Sequence, residues 1–345
     1  MVSIVIRSDE ANAAAMAKLL AARNHSVCLL SSESSHGQHN FSYLGKCSTV
    51  TLHELEELDP SGPRVGIVFA EGENVRAGIL SVMDGKALDL LVIIGGGISA
   101  AVEAAEAGQA TGFDLARILH VAGFVVGGNT SAVKSEKQSV SAGFLGEGTP
   151  VHVLALVQLA LPQVKIGDGV SVALSSVNAM VHLPPMIFNA MSVERGDDVR
   201  FYVEGFGDSV CRLIARLDAD RLRLGAALGR TLIPVVELMD QSRGPGGMPG
   251  ATLKEKVNAF PSYQSIKLPS GFHHRFLAHE LRSTFAPMAE LGTLLQIDVT
   301  TITSVVRIGE ILLNVDLSRS AKAVAQEFLH MVSASPTESL QVSIR

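Results

Sequence analysis

Val2-Ser-Ile-Val-Ile-Arg7-Ser-Asp-Glu10-Ala-Asn-Ala-Ala-Ala-Met16-Ala-Lys-Leu-Leu20-Ala-Ala-Arg23-Asn-His-Ser26-Val-Cys-Leu-Leu30 is the stretch that decides the fold. Val2 to Ile6 reads as a strand. Ala11 to Ala22, with apolar positions at Met16, Leu19 and Leu20, reads as a helix, and Ser26 to Leu30 as a second strand. A helix between two such runs is the crossover that joins parallel strands. The pattern recurs. Arg64 to Phe69 and Leu88 to Ile94 are β-branched and apolar without clean alternation, the mark of strands covered on both faces. Helical segments follow them at roughly Glu73 to Met83 and Ala100 to Leu119, and Ala122 to Val126 is expected to add another strand. Residues 1–166 therefore predict an α/β domain with a doubly wound, Rossmann-like parallel sheet.

Beyond a polar, glycine-containing stretch from Asn129 to Gly148 the texture changes, and from Gly167 onward the apolar spacing is helical almost throughout, as in Val210 to Leu217 and Ile302 to Val315. Residues 167–345 are expected to form a second, mostly α-helical domain, interrupted by the loop Arg243 to Gly250, whose glycines and prolines exclude regular structure. A polar tail is expected from Ser333 to Arg345. A chain of 345 residues, 47% of them hydrophobic, has material for two cores. Its net charge of -6, from 28 basic and 34 acidic side chains without clustered cations, argues against a nucleic-acid partner. The apolar runs Leu88 to Ile94 and Val151 to Leu161 fall short of the roughly 18 to 20 residues that cross a bilayer, so no membrane span is expected. Asp9 and Glu10 stand where the apolar part of a secretion signal would continue. Cys28, Cys47 and Cys211 form no C-x-x-C pair, which fits a reduced, cytoplasmic chain.

Two segments carry chemistry. Asn178-Ala-Met-Val-His182-Leu-Pro-Pro185-Met-Ile-Phe-Asn189 puts Asn178 and His182 on one helical face, with Pro184 and Pro185 expected to bend or end the helix just after the histidine. An imidazole moves protons near neutral pH when a partner fixes its tautomer. A core histidine bonded to a carbonyl is the plainer reading of the spacing alone. The second segment, His273-His-Arg275-Phe-Leu-Ala-His279-Glu280, has histidines at a spacing that matches no metal pair, and no metal is expected there. Phe276, Leu277, Leu281 and Phe285 mark a buried face.

These segments, with Phe201-Tyr-Val-Glu-Gly205, Leu217-Asp-Ala-Asp-Arg221-Leu, Leu228-Gly229 and Pro287-Met-Ala-Glu-Leu-Gly292, resemble the octopine/nopaline (opine) dehydrogenases. That family consists of NAD(P)-linked enzymes that reductively join an amino acid to a 2-oxo acid. The resemblance implies a catalytic His182 paired with Glu280, where the family usually has Asp, and His279 where it usually has Glu. It also implies a substrate cleft between the domains, with Asn178, Asn189 and Arg275 as substrate contacts. Arg275 or Arg282 would bind a carboxylate through paired donors, although either can equally serve a structural ion pair. A small-molecule substrate and a homodimer are the partners implied.

The cofactor is where the chain departs from the family. A dinucleotide site needs glycines after the first strand, so that the diphosphate can approach the backbone and the helix N-terminus. Here the turn reads Arg7-Ser-Asp-Glu10-Ala-Asn-Ala13, without a glycine in either plausible register. Asp9 and Glu10 would repel the diphosphate; in a chain without that ligand they are expected to cap the helix instead. If NAD(P) binds, the candidate contacts are Ser8, the glycine turn Gly95-Gly96, and Glu33, placed to accept from a ribose hydroxyl. Three readings follow: an opine dehydrogenase-like oxidoreductase on an amino acid, imine or 2-oxo acid; a nicotinamide-independent cyclase, lyase or isomerase that keeps the dyad; and a non-catalytic ligand-binding homologue.

Overall fold

A computed structural model of the chain describes residues 2–32, 36–43, 45–70, 74–83 and 87–334. They form two compact units, one of residues 2–95 and 103–169, the other of 96–102 and 170–334.

The first unit contains β1 (Ser3–Arg7), β2 (Ser26–Leu30), β3 (Gly37–Tyr43), β4 (Lys46–Leu52), β5 (Arg64–Phe69), β6 (Leu90–Ile94), β7 (Ile118–Val121), β8 (Val126–Gly128), β9 (Ala132–Glu136), β10 (Val140–Phe144) and β11 (Val164–Asp168). Its helices are α1 (Ala11–Ala22), α2 (Val75–Met83), most of α3 (Gly97–Thr111) and α4 (Val151–Ala160). The main sheet has the order β11-β10-β7-β6-β5-β1-β2, parallel except where β10 meets β7. The order turns back between β1 and β5, and at such a switch point the carboxyl ends of the strands open a ligand crevice. Alanines let α1 lie close to the sheet, with Met16, Leu19 and Leu20 buried against Ile4, Ile6, Val65 and Ile67. Asn24 ends that helix in the left-handed region, φ +63°.

Several expectations need correction. The strand placed at Ala122 to Val126 lies earlier, at Ile118–Val121, because the helix expected to run to Leu119 stops at Thr111, where Gly112 takes φ +69°. The polar stretch from Asn129 to Gly148 contains β9 and β10. A second sheet, β4-β3-β9-β8, was not legible, since its strands are largely exposed and polar. It reaches the core through Phe41, Val50, Leu52 and Val133. Its edge comes so near α1 that a Cβ on Gly128 would stand 2.9 Å from the Ala15 methyl.

The second unit is helical: α5 (Gly169–Ala173), α6 (Val177–Phe188), α7 (Ala190–Arg195), α8 (Asp208–Ala227), α9 (Val235–Gln241), α10 (Leu253–Ala259), α11 (Arg275–Glu280), α12 (Ala286–Leu295), α13 (Thr300–Leu313) and α14 (Ser318–Ala334). A π-helical turn, Leu281–Phe285, joins α11 to α12. Buried charges fasten α8. Arg221, 1% exposed, donates to Asp218 Oδ1 and to the Ile233 carbonyl, and Asp218 Oδ2 accepts from the Val235 N–H. Asp220 Oδ2 accepts from the Ile302 N–H, tying α8 to α13. Pro184 and Pro185 do not end α6 at the histidine; the helix continues to Phe188. Everything from Ala179 to Met186 is buried, and that packing outweighs two missing donors, each a loss of about 3 kcal/mol in an exposed helix. The stretch Gly169–Phe188 is the one described helical segment long and apolar enough to cross a bilayer by composition, and 83% of its most apolar 18-residue window is buried inside the protein.

Candidate active site

The second unit brings His182 and Glu280 together from elements 98 residues apart in sequence. Ser176 caps α6 by accepting the Ala179 N–H, which sets His182 in the second turn. Across from it His274 caps α11, its Nδ1 accepting the Phe276 N–H at 3.2 Å, and Glu280 is the last residue before the π-helical turn. Such a turn rotates the residues on either side of it relative to an unbroken α-helix and is frequent at functional sites.

His182 Nδ1 and Glu280 Oε1 are 2.9 Å apart, with side-chain exposures of 6% and 2%. Phe276 stacks on the imidazole at 3.9 Å between centroids and 19° between planes, and Phe201 meets its edge at 6.3 Å. Burial pushes the Glu280 carboxyl up to about 7, while the nearby His279 and Arg275 pull it down. Its proton affinity thus approaches that of an ordinary imidazole, about 6.5. Burial, then the Arg275 charge and His182, hold His274 down to about 4, consistent with a neutral ring whose Nδ1 accepts a hydrogen bond. Burial also lowers His279, whose Nε2 is enclosed without a partner.

The other residues singled out from the sequence fare differently. Asn178 is half-buried on α6, one turn before His182. Arg275 holds its guanidinium 5.1 Å from the Phe276 ring centroid, beside the dyad. Asn189 donates from Nδ2 to the Pro185 carbonyl at 2.8 Å and the Gly205 carbonyl at 2.9 Å, which uses both amide hydrogens. Arg282 is exposed, and its carbonyl accepts from Ser99 Oγ. Phe276, Phe201 and Tyr202 enclose the ring, which sequence reasoning missed although all three lie in the segments that carried the resemblance. Among the described residues no three His, Cys, Asp or Glu side chains form a metal-ligand set. An open depression of about 630 Å³ elsewhere on this unit, lined by Thr300, Thr303, Ser304 and Arg307, includes neither member of the dyad.

In the first unit, the turn after β1 does not fit a dinucleotide in its usual pose. Ser8 is 1% exposed, and its Oγ accepts the Glu10 N–H at 3.0 Å, one of the donors a diphosphate would use. Asp9 does not cap α1 as expected; its Oδ1 accepts the Ser32 N–H at 2.5 Å, just past β2, and that bond lowers its pKa. Glu10 occupies the N-cap position without a side-chain cap. The Gly95-Gly96-Gly97 turn is left-handed throughout, φ +80°, +75° and +53°. The Gly95 carbonyl accepts from the fully buried His120 Nε2 at 3.0 Å, and Gly97 leaves room for Thr284. These glycines answer a backbone need, which is reason enough for their presence. Glu33 lies outside the described residues.

Residues 166–313 match the family model described as the NAD/NADP octopine/nopaline dehydrogenase alpha-helical domain. An opine dehydrogenase of Arthrobacter sp. (strain 1C) is 27% identical over 165 residues, 48% of this chain and 45% of that protein. A vitopine synthase of Allorhizobium ampelinum (strain ATCC BAA-846 / DSM 112012 / S4) is 24% identical over 160 residues, 46% and 43%. The matched stretch thus spans less than half the length of these relatives. Among solved structures, an octopine dehydrogenase with NADH and agmatine aligns with 95% of this chain and 96% of its own at 11% identity, TM-score 0.73. A yersinopine dehydrogenase with NADP+ bound aligns at 12% identity over 96% and 99%, TM-score 0.68. At such identities the likeness establishes the fold.

Proposed function

Since the chain belongs to the octopine/nopaline dehydrogenase family through its helical unit, we infer that it is an opine dehydrogenase-like oxidoreductase acting on an amino acid, imine or 2-oxo acid, with His182 and Glu280 as its acid–base dyad. The observation that carries this is the buried 2.9 Å contact between Nδ1 and Oε1. A carboxylate on Nδ1 fixes the tautomer, so that protons are exchanged with substrate through Nε2, and it stabilises the imidazolium that forms when Nε2 takes one up. Condensing an amine with a 2-oxo acid requires removing a proton from the ammonium group and protonating the departing oxygen. One imidazole that takes up and returns a proton serves both steps. Phe276 and Phe201 keep the ring in plane and water away from the bond to Glu280. Arg275, beside the dyad, is the cation suited to a substrate carboxylate. NADH or NADPH is the cofactor class that accompanies this reading, and the substrate is a small molecule.

One observation favours a second reading, a cyclase, lyase or isomerase that works by proton transfer alone: the self-bonded turn at Ser8 and Asp9. A single experiment tests both. Mixtures of amino acids and 2-oxo acids are incubated with the protein, with and without NADH or NADPH, and products are read by mass spectrometry beside His182→Ala. Coupled product formed only with the nicotinamide, and reduced roughly 10²- to 10⁴-fold in the variant, supports the oxidoreductase. Turnover without cofactor that still needs His182 supports the second reading, and activity indifferent to His182 overturns both.

A further inference from the structure

We propose that the turn between β1 and α1 is built to reject the dinucleotide diphosphate, with the Asp9 carboxylate, anchored on Ser32, standing in its way.

The argument lies wholly within the first unit. The strand order reverses beside β1, so Ser8 to Glu10 sit at the carboxyl end of the strand where this class of sheet receives an anion. An anion there is held by N–H groups of the turn and of the first helical turn, which have no partners inside the helix. In this chain some of those donors are already used: Ser8 Oγ takes the Glu10 N–H, and the Ala13 N–H goes to the Glu10 carbonyl at 2.9 Å. Asp9 Oδ1, held by the Ser32 N–H, puts a carboxylate at the same turn. Asn12 Oδ1 accepts from the Gly128 N–H at 3.0 Å, pinning the helix start to β8.

Charge points the same way. Arg7 donates to the Leu30 carbonyl and offsets one carboxylate, so Arg7, Asp9 and Glu10 together carry one net negative charge. Two like charges about 4 Å apart, at an effective dielectric of about 20, weaken an association roughly a thousandfold. The Ser32 N–H lies just beyond β2, where an acidic side chain normally receives the adenosine ribose. Asp9 reaches that place from the neighbouring turn, so one carboxylate obstructs both the diphosphate and the sugar.

The test is equilibrium binding of NADH and of NADPH to the full chain, followed by calorimetry, for the wild type, Asp9→Asn, and Asp9→Asn with Glu10→Gln. Asn keeps an acceptor for the Ser32 N–H, so the turn retains its shape while losing charge. The expected result is a wild-type Kd of about a millimolar or weaker, tightening about tenfold or more for each carboxylate neutralised. The gap between wild type and double variant should narrow as added salt shortens the screening length below about 10 Å. A micromolar wild-type Kd overturns the proposal, as does a double variant that binds no better. The dehydrogenase reading supplies the choice of ligand, and weak wild-type binding would favour the nicotinamide-independent reading of the same site; because the readout is binding, a His182→Ala protein titrates in the same way. Failure here is therefore distinguishable from failure of the dyad.

Discussion

Replacing Glu280 by Gln keeps the shape of the side chain and removes its titration. The protonation of the buried dyad can then be read as a difference in stability. In the fold, burial raises this carboxyl from an ordinary 4.5 to about 7. Between those values the folded protein holds a proton that the unfolded chain has released, so folding stability falls as pH rises. The wild type should thus keep its full contribution from Glu280 below pH 4.5 and lose it through pH 7. At about 1.36 kcal/mol per pH unit, the rise corresponds to about 3 kcal/mol. Other groups titrate in the same window with the opposite sign. His120, fully buried, and His274 are both held down to about 4 and favour the fold more as pH rises toward 6.5. The raw curve therefore mixes slopes, whereas the wild-type-minus-Glu280→Gln difference removes those of His120 and His274 and leaves the Glu280 carboxyl with the His182 ring it is bonded to. Urea unfolding at intervals from pH 4.5 to 8 gives that difference, which should decline by about 3 kcal/mol. A difference that rises with pH would refute the reasoning, because it would mean a carboxylate stabilised by a protonated His182 throughout. A flat difference would mean that the carboxyl is hydrated in solution.

Two further outcomes follow from the packing. Gly97→Ala should cost about 1–3 kcal/mol by urea midpoint, because its φ of +53° disfavours a side chain and its Cβ would fall 2.3 Å from Thr284 Oγ1; adding Thr284→Ala should recover only the steric part. Asn189→Ala should lower stability by about 1–3 kcal/mol, chiefly through the Gly205 carbonyl it leaves without a donor, since the Pro185 carbonyl keeps the residue-189 N–H, with KM for any substrate found unchanged. A raised KM at full stability would return Asn189 to the substrate.

The dyad was legible only in part. The four-residue spacing of Asn178 and His182 placed them on one helix face, but a core histidine bonded to a carbonyl has the same spacing, and only the resemblance selected Glu280 as partner. The aromatic enclosure was not foreseen, because Phe276 on α11 marked only a buried face and Phe201 before α8 only a segment of the resemblance until they close on the same ring. At Asn189 the sequence offered a ligand contact, and the structure adds a role that spacing did not indicate: both amide hydrogens lie on backbone carbonyls. The second sheet escaped because exposed, polar strands such as Gly37–Tyr43 carry no alternation that distinguishes them from loop.

By itself the sequence determined the parallel sheet of the first unit, because continuous β-branched runs such as Leu90–Ile94 can be satisfied only when covered on both faces. It also determined the loss of the glycine turn, since the absence of a residue type needs no coordinates. The tertiary structure alone decided that Glu280 lies 2.9 Å from His182, and that Asp9 gives its carboxylate to Ser32 instead of to the helix it precedes. Both are contacts between residues far apart along the chain. Their strength depends on how much water is excluded around them, which periodicity in a sequence does not encode.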